Sequence, residues 1–156
     1  MATYLGVKVS EIEGYIIAEH GDMQFCPWSQ VKVKGLKIDE YTQRNNIDLS
    51  REKTAEIEKI VPGMGGEIIA GKGKTHFGIA TCVAYLVEAV LSGEKIEASV
   101  SSCLMDEYGL NDVSLSLPSI ISSSGVTGRV EVDLTQEEEE KFKSAAINLK
   151  KVMLNI

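Results

Sequence analysis

A histidine set among carboxylates is the residue group best suited to chemistry. His20 follows the apolar run at residues 15–18 and has Glu19 and Asp22 beside it. An imidazole exchanges protons near neutral pH, and a neighbouring carboxylate fixes its tautomer. The group therefore predicts a general acid or base at His20. The same spacing is typical of a non-catalytic surface or core histidine whose hydrogen bonds are made to backbone groups. From spacing alone, that interpretation is the more common one.

A cluster of glycines is the second such group. Glycines recur through residues 63–73, directly before Lys74 and Thr75. A phosphate-binding loop of the type G-x-x-x-x-G-K-[ST] needs a glycine at position 68, where the chain has Ile68. If the loop is instead taken to begin at Gly66, Gly73 occupies the position that requires Ser or Thr. The cluster favours a helix start or kink where small residues permit close approach, and a phosphate-binding protein is the weaker alternative.

The sequence does not indicate a metal site or an activated nucleophile. His76, the other histidine, is far from His20, so no metal-ligand spacing is present. Residues 122–125 lack the G-x-S-x-G pattern of a serine nucleophile. The cysteines stand singly, which predicts buried free thiols in a reducing compartment and hence a cytoplasmic protein. These cysteines are Cys26, Cys82 and Cys103.

Length and charge exclude several function classes. The chain has 156 residues, 44% of them hydrophobic, which suits one soluble domain with a real core. The net charge is −7, which disfavours nucleic acid and anionic membrane surfaces as partners. No apolar run reaches the roughly 20 residues of a membrane helix. The N-terminus lacks the pattern of a signal peptide, so none is expected.

The first half of the chain predicts short strands followed by helices. Residues 2–5 read as the last turn of a helix and 15–18 as a strand. Residues 28–34 and 36–38 alternate between apolar and polar positions on either side of Gly35, which predicts a β-hairpin. Helical periodicity begins after Ser50, and Pro62 should break or kink that helix. A further helix is predicted over residues 75–91. Its apolar positions recur at helical spacing on one face: Ile79, Val83, Leu86, Val87 and Val90.

The second half predicts strands and a closing helix. Strands are expected over residues 95–105, 113–122 and 129–134. Thr135 and Glu138 form a capping box for a helix that runs to about Leu154. The residues expected to face inward from it are Phe142, Ala145, Ala146, Leu149, Val152 and Met153. The acidic run at 137–140 is expected to be a solvated helix start. The order of elements predicts an α+β fold, an antiparallel sheet and hairpin packed with long helices.

Several segments in a fixed order carry a family resemblance. The segment G-Y-I-I-A-E-H-G-D at 14–22, with P-W-S at 27–29, resembles the catalytic-histidine region of the L-lactate/malate dehydrogenase family. K-G-K-T-H-F-G-I-A at 72–80 resembles that family's K-G-x-T segment at the start of a long helix. Residues 107–109 and 112–118 resemble its C-terminal sheet. The resemblance covers nearly the whole chain.

The resemblance implies a domain assignment. Residues 1–156 are similar to the family's C-terminal catalytic and substrate-binding domain, and an N-terminal Rossmann NAD-binding domain is expected to be absent from this chain. The G-x-G-x-x-G fingerprint is indeed missing from the sequence. The implied activity is that of an NAD-dependent L-2-hydroxyacid dehydrogenase, with lactate dehydrogenase favoured and malate dehydrogenase as the near alternative. The chain alone is expected to be inactive, and a non-catalytic assembly domain is the second hypothesis.

The resemblance also implies residue roles. His20 would exchange a proton with the substrate oxygen, Thr75 and Gly65 would line the substrate pocket, and Ile79 would pack on the nicotinamide ring of NAD. The implied partners are a small 2-oxo or 2-hydroxy acid and further copies of the protein, in a dimer or tetramer. The carboxylate partner of the family's histidine would lie outside this chain, so Asp22 is not expected to fill that role.

Two departures from the family pattern carry expectations of their own. The glycines at 63–66 suggest a roomier pocket and a 2-oxo acid bulkier than pyruvate. Many bacterial lactate dehydrogenases carry a histidine for a sugar-bisphosphate activator where this chain has Glu13. The negative charge of Glu13 would repel phosphate, so no such activation is expected.

Overall fold

The computed structural model describes residues 1–154, apart from the side chain at position 62. Its helices and strands are α1 (Ala2–Leu5), β1 (Ile12–Glu13), β2 (Lys32–Val33), β3 (Leu36–Lys37), α2 (Ile38–Arg44), α3 (Arg51–Lys72), α4 (His76–Ser92), β4 (Ile96–Met105), β5 (Asn111–Ser122), β6 (Gly125–Arg129) and α5 (Gln136–Met153). Within these residues the strands form a small sheet, β1-β2-β3, and a large one, β4-β5-β6, both antiparallel. The predicted α+β fold is confirmed.

The small sheet is built on the predicted hairpin. Lys34 and Gly35 form its turn with φ of 52° and 78°, a conformation that glycine adopts without strain. The predicted alternation before the hairpin is only partly present, because Trp28–Gln30 forms a 3-10 helix. Residue 38, expected to continue the hairpin, instead begins α2. The core beneath this sheet consists of Leu5, Cys26, Val31, Val33, Ile38 and Tyr41.

The large sheet is the main scaffold of the chain. β4 pairs with β5 from Ile96↔Ile121 to Cys103↔Ser114 before the register shifts. The strand predicted over 129–134 is wrong, since β6 ends at Arg129. Beyond it, the carbonyl of Val132 accepts a 2.8 Å hydrogen bond from the Tyr108 hydroxyl. The carbonyl is therefore bonded to a side chain instead of a neighbouring strand.

Helix α5 closes the main core. Thr135 and Glu138 make the predicted capping box. The inward face packs against β5, and the buried residues of this cluster include Val113, Leu115, Leu117, Phe142, Ala145 and Ala146. Val152 and Met153 are exposed, so their predicted inward orientation is wrong. Glu138 is buried, which corrects the expectation of a wholly solvated acidic run.

Helices α3 and α4 differ most from expectation. α3 is continuous from Arg51 to Lys72, so the predicted break at position 62 is wrong. α4 occupies nearly the predicted range, yet most of its apolar face is exposed within the described chain. Two of the cysteines, Cys82 and Cys103, are also exposed, contrary to prediction. Among residues 1–154, no helix combines the length and apolar character needed to cross a membrane.

Candidate active site

His20 lies in a turn that is fixed at its base. Residues 15–18 do not form the predicted strand; Ile17 forms an isolated bridge with Phe25, and Ala18 forms one with Ser116 of β5. The Ala18 N–H donates to the Ser116 carbonyl at 3.0 Å, and the Ser116 N–H donates back at 2.8 Å. Ala18 has a positive φ of 76°, which turns the chain away from the sheet. The histidine therefore extends from a turn joined to β5.

The imidazole of His20 is exposed and makes no hydrogen bond or ion pair with the residues that the structure describes. The contact predicted from Glu19 or Asp22 is thus not present there. The Glu19 carboxylate lies over Gly21 instead, where a Cβ atom would come within 2.6 Å of its Oε1. A side chain at position 21 would need only a shift of the flexible Glu19 carboxylate, so the geometry does not demand glycine there. His20 is left open to an external partner.

Thr75 and Ile79 lie at the start of α4. Gly73 ends α3 in the left-handed conformation with φ of 75°, and Thr75 occupies the N-cap of α4. The Thr75 side chain makes no capping bond, so the helix does not use its hydroxyl. Ile79 follows at i+4, on the same helix face, and its side chain is 65% exposed. A hydroxyl and an open apolar side chain therefore share one face.

Gly65 lies on the exposed part of α3. A Cβ atom built on Gly65 would meet no atom within 4 Å. Among the described residues, no side-chain hydrogen bond joins any two of His20, Gly65, Thr75 and Ile79. Strand β5 pairs with Ala18, next to the His20 turn, and also contacts helix α4.

Two cavities lie away from these residues. One of about 450 Å³ is lined by residues that include Tyr108 and Arg129. Another of about 540 Å³ is lined by residues that include Trp28 and Glu58. Neither is lined by any of the four predicted site residues, which all lie on exposed surface. These cavities therefore do not enclose the predicted site residues.

A partly buried polar junction around Glu138 was not predicted. The Glu138 carboxylate accepts hydrogen bonds from the Ser29 N–H at 3.1 Å and the Ser29 hydroxyl at 2.6 Å, and from Thr135. Burial alone would raise the pKa of Glu138, but these hydrogen bonds together hold it below its ordinary value. The Trp28 indole N–H donates to Glu58 of α3 at 2.8 Å. The capping box located Glu138 in the sequence, but its partner Ser29 had no local signal.

Comparison with known proteins gives a consistent picture. A family model described as the lactate/malate dehydrogenase alpha/beta C-terminal domain matches residues 1–156. The chain is 39% identical over 149 residues to L-lactate dehydrogenase 2 of Clostridium acetobutylicum, covering 94% of this chain and 46% of that protein. It is 34% identical over 144 residues to an L-lactate dehydrogenase of Clostridium botulinum, covering 92% and 45%.

Solved structures agree with this fold. The minor L-lactate dehydrogenase of Enterococcus mundtii, in a ligand-bound form, superposes with a TM-score of 0.91 at 31% identity, covering 99% of this chain and 49% of that one. Cryptosporidium parvum malate dehydrogenase gives a TM-score of 0.88 at 22% identity, covering 99% and 49%, and shares the fold. The chain spans about half the length of the relatives it matches. It belongs to the lactate/malate dehydrogenase family, in which it matches the alpha/beta C-terminal domain.

Proposed function

We propose that residues 1–156 are the catalytic and substrate-binding domain of an NAD-dependent L-2-hydroxyacid dehydrogenase of lactate dehydrogenase type. The observation that carries this proposal is the open imidazole of His20, held on a turn joined to β5 by the Ala18–Ser116 pair. An imidazole without an internal partner is available for proton transfer to a bound substrate. The relatives above 30% identity bear the name L-lactate dehydrogenase, which favours lactate over malate chemistry.

The proposed reaction interconverts a 2-oxo acid and an L-2-hydroxy acid. NAD, when bound, supplies or accepts the hydride at the substrate carbon. The imidazolium of His20 gives a proton to the carbonyl oxygen during reduction, and the neutral imidazole takes it back from the hydroxyl during oxidation. The Thr75 hydroxyl, unused by its own helix, would orient the substrate. Gly65 would leave room for the substrate side chain.

The residues at the start of α4 fit a nicotinamide ring. Ile79 presents an exposed apolar side chain on the same face as Thr75. Such a side chain offers a flat ring an apolar surface, and burial on binding would be favourable. The sequence holds no dinucleotide fingerprint. We infer that a separate Rossmann domain binds most of the cofactor, and that this chain supplies the Ile79 contact.

The exposed apolar face of α4 supports association with a second copy of the protein. It is unusually apolar for a helix surface left open by its own chain. Apart from Ile79, which is assigned above to the nicotinamide ring, its exposed members are Phe77, Val83, Tyr85, Val87, Val90 and Leu91. Covering such a surface releases water from apolar groups. We propose a homo-oligomer, a dimer or tetramer, in which α4 lies at a subunit interface.

The proposal is tested with a two-domain protein. In this protein the chain follows the N-terminal half of Clostridium acetobutylicum L-lactate dehydrogenase 2. NADH oxidation is followed with pyruvate, oxaloacetate and a branched 2-oxo acid, and the chain alone is assayed as control. We expect turnover of a 2-oxo acid only by the two-domain protein. Failure of every 2-oxo acid with a folded protein would favour a non-catalytic assembly domain, and turnover by the chain alone would contradict the need for a second domain.

A further inference from the structure

We propose that Tyr15 and Glu97 form a positioning pair that fixes the His20 turn on the large sheet. The inference rests on the proposed role of His20 in proton transfer. The Tyr15 hydroxyl donates a hydrogen bond to Glu97 Oε1. Tyr15 belongs to the segment that carries His20, while Glu97 lies on β4 and pairs with Ile120 of β5. The bond therefore joins the candidate acid–base segment to a second strand.

Two attachment points restrict the segment more than one does. The Ala18–Ser116 pair holds its backbone to β5. The Ile17–Phe25 bridge closes the turn on itself and gives no second attachment to the large sheet. The Tyr15–Glu97 bond anchors the same segment on β4, at a separate place in the sheet. The two anchors together limit both rotation and sliding of the turn that presents His20.

The tyrosine is suited to act as a constant donor. Its ring is partly buried and packs against the main hydrophobic core, so its position is set by packing as well as by the bond. The hydrogen bond to Glu97, aided by burial and by the charges of Glu97 and Glu13, raises the pKa of Tyr15 to about 12. The hydroxyl therefore keeps its proton over the pH range in which a histidine titrates.

A bond that only stabilises the fold would give a different result from one that positions His20. A stabilising bond affects the unfolding temperature and leaves kcat unchanged once the protein is folded. A misplaced proton donor weakens an interaction made in the transition state, so kcat and kcat/KM fall together while KM stays constant. The split between kcat and KM therefore separates the two roles.

The test uses the two-domain protein with Tyr15→Phe, Glu97→Ala, the double variant and Glu97→Gln. Glu97→Gln retains an oxygen acceptor for the Tyr15 hydroxyl. Tyr4→Phe is the matched control, because it removes a tyrosine hydroxyl that donates to the Asp48 carbonyl at the other side of the small core. Unfolding temperatures are measured for every variant.

We expect Tyr15→Phe and Glu97→Ala each to lower kcat by about three- to tenfold with KM unchanged. The double variant should be no worse than the poorer single variant, since both remove one bond. Glu97→Gln should stay within about twofold of wild type, as should Tyr4→Phe. Unchanged kcat in Tyr15→Phe, while His20→Gln is inactive, would overturn the positioning pair and leave the proposed function standing.

Amide exchange gives a readout independent of turnover. We expect exchange across residues 19–24 to quicken by about threefold or more in Tyr15→Phe and to stay unchanged in Tyr4→Phe. Unchanged exchange in Tyr15→Phe would contradict the pair even if no 2-oxo acid were turned over. Faster exchange in a protein without activity would leave the attachment supported and would reject only the proposed function.

Discussion

Ala18 and Ser116 exchange a reciprocal pair of backbone hydrogen bonds, and this pair connects the His20 turn to the centre of the large sheet. Ser116 lies on β5, whose other edge is paired with β4 at Ser101. β5 also contacts α4, the helix that carries Ile79. β5 thus holds the turn of the proposed proton donor and contacts the helix that carries the proposed nicotinamide contact. A rigid common support is what holds catalytic groups at a constant separation.

Removing the Glu138 carboxylate should destabilise the chain. Glu138 is only 8% exposed and accepts hydrogen bonds from Ser29 and Thr135. Glu138→Ala leaves partly buried donors without acceptors, so we expect a loss of about 1–2 kcal/mol in the free energy of unfolding. The exposed Glu131→Ala is the control and should stay within about 0.5 kcal/mol. Urea unfolding followed by Trp28 fluorescence measures both, and equal losses would contradict the junction.

The same carboxylate predicts a pH dependence of stability. The folded-state pKa of Glu138 lies below its ordinary value of 4.5. Its contribution is therefore fully present above that value and is lost as the pH falls through the folded-state pKa. Glu138→Gln cannot ionise, so the stability difference from wild type should shrink between about pH 6 and pH 3. A stability difference that stays constant over this pH range would show that the charge of Glu138 contributes nothing to the free energy of unfolding.

Gly65→Ala should narrow the proposed substrate pocket without harming the fold. Gly65 lies in helix α3 with open space at its Cβ position. Alanine should stabilise this helix by about 0.5–1 kcal/mol. We expect kcat/KM for a branched 2-oxo acid to fall about tenfold relative to pyruvate. Gly71→Ala, an equally open position on α3, should stabilise the helix and leave this ratio unchanged. An unaltered ratio in Gly65→Ala would remove Gly65 from the pocket.

A sugar bisphosphate should not activate the two-domain protein. Glu13 is exposed on β1 and carries a negative charge where phosphate would bind in an activated relative. Repulsion between like charges disfavours that binding. Steady-state rates at subsaturating 2-oxo acid, measured with and without a sugar bisphosphate, should coincide. A marked rise in rate would contradict the expectation drawn from Glu13.

A charge on the exposed face of α4 should disrupt association. Val87 on α4 is 48% exposed, and Val126 on β6 is 45% exposed. Val87→Asp would bury an unpaired charge at the proposed interface, which is strongly unfavourable. We expect the molar mass of the Val87→Asp variant, measured by light scattering, to fall toward that of one subunit. The Val126→Asp variant should keep the wild-type molar mass. Equal masses for both variants would place the interface elsewhere.

Local patterns predicted the elements better than the contacts between them. The periodicity of α4 and the capping box of α5 correctly indicated helices. The stripe on α4 could not reveal what covers it, because an apolar face looks the same whether its partner is the same chain or another. The alternation after Arg129 predicted a strand. Instead, the Tyr108 hydroxyl, from a turn distant in sequence, donates a hydrogen bond to the Val132 carbonyl.

The residues of the candidate site remain a prediction from the sequence, and the contacts that support them could not be predicted. The resemblance indicated His20, and the glycine before Lys74 agreed with a helix start at residue 76. The Ala18–Ser116 and Tyr15–Glu97 pairs join segments far apart in sequence, so no local spacing predicts them. The Glu19 carboxylate, predicted beside the imidazole, lies over Gly21 because the turn directs it there.

The most direct test compares NADH oxidation by the two-domain protein with that of its His20→Gln variant, using the best of the three 2-oxo acids. Glutamine preserves polarity and approximate size but cannot donate a proton as imidazolium does. We expect kcat to fall by about a thousandfold while the protein remains folded. A variant as active as wild type would show that His20 does not carry the proton.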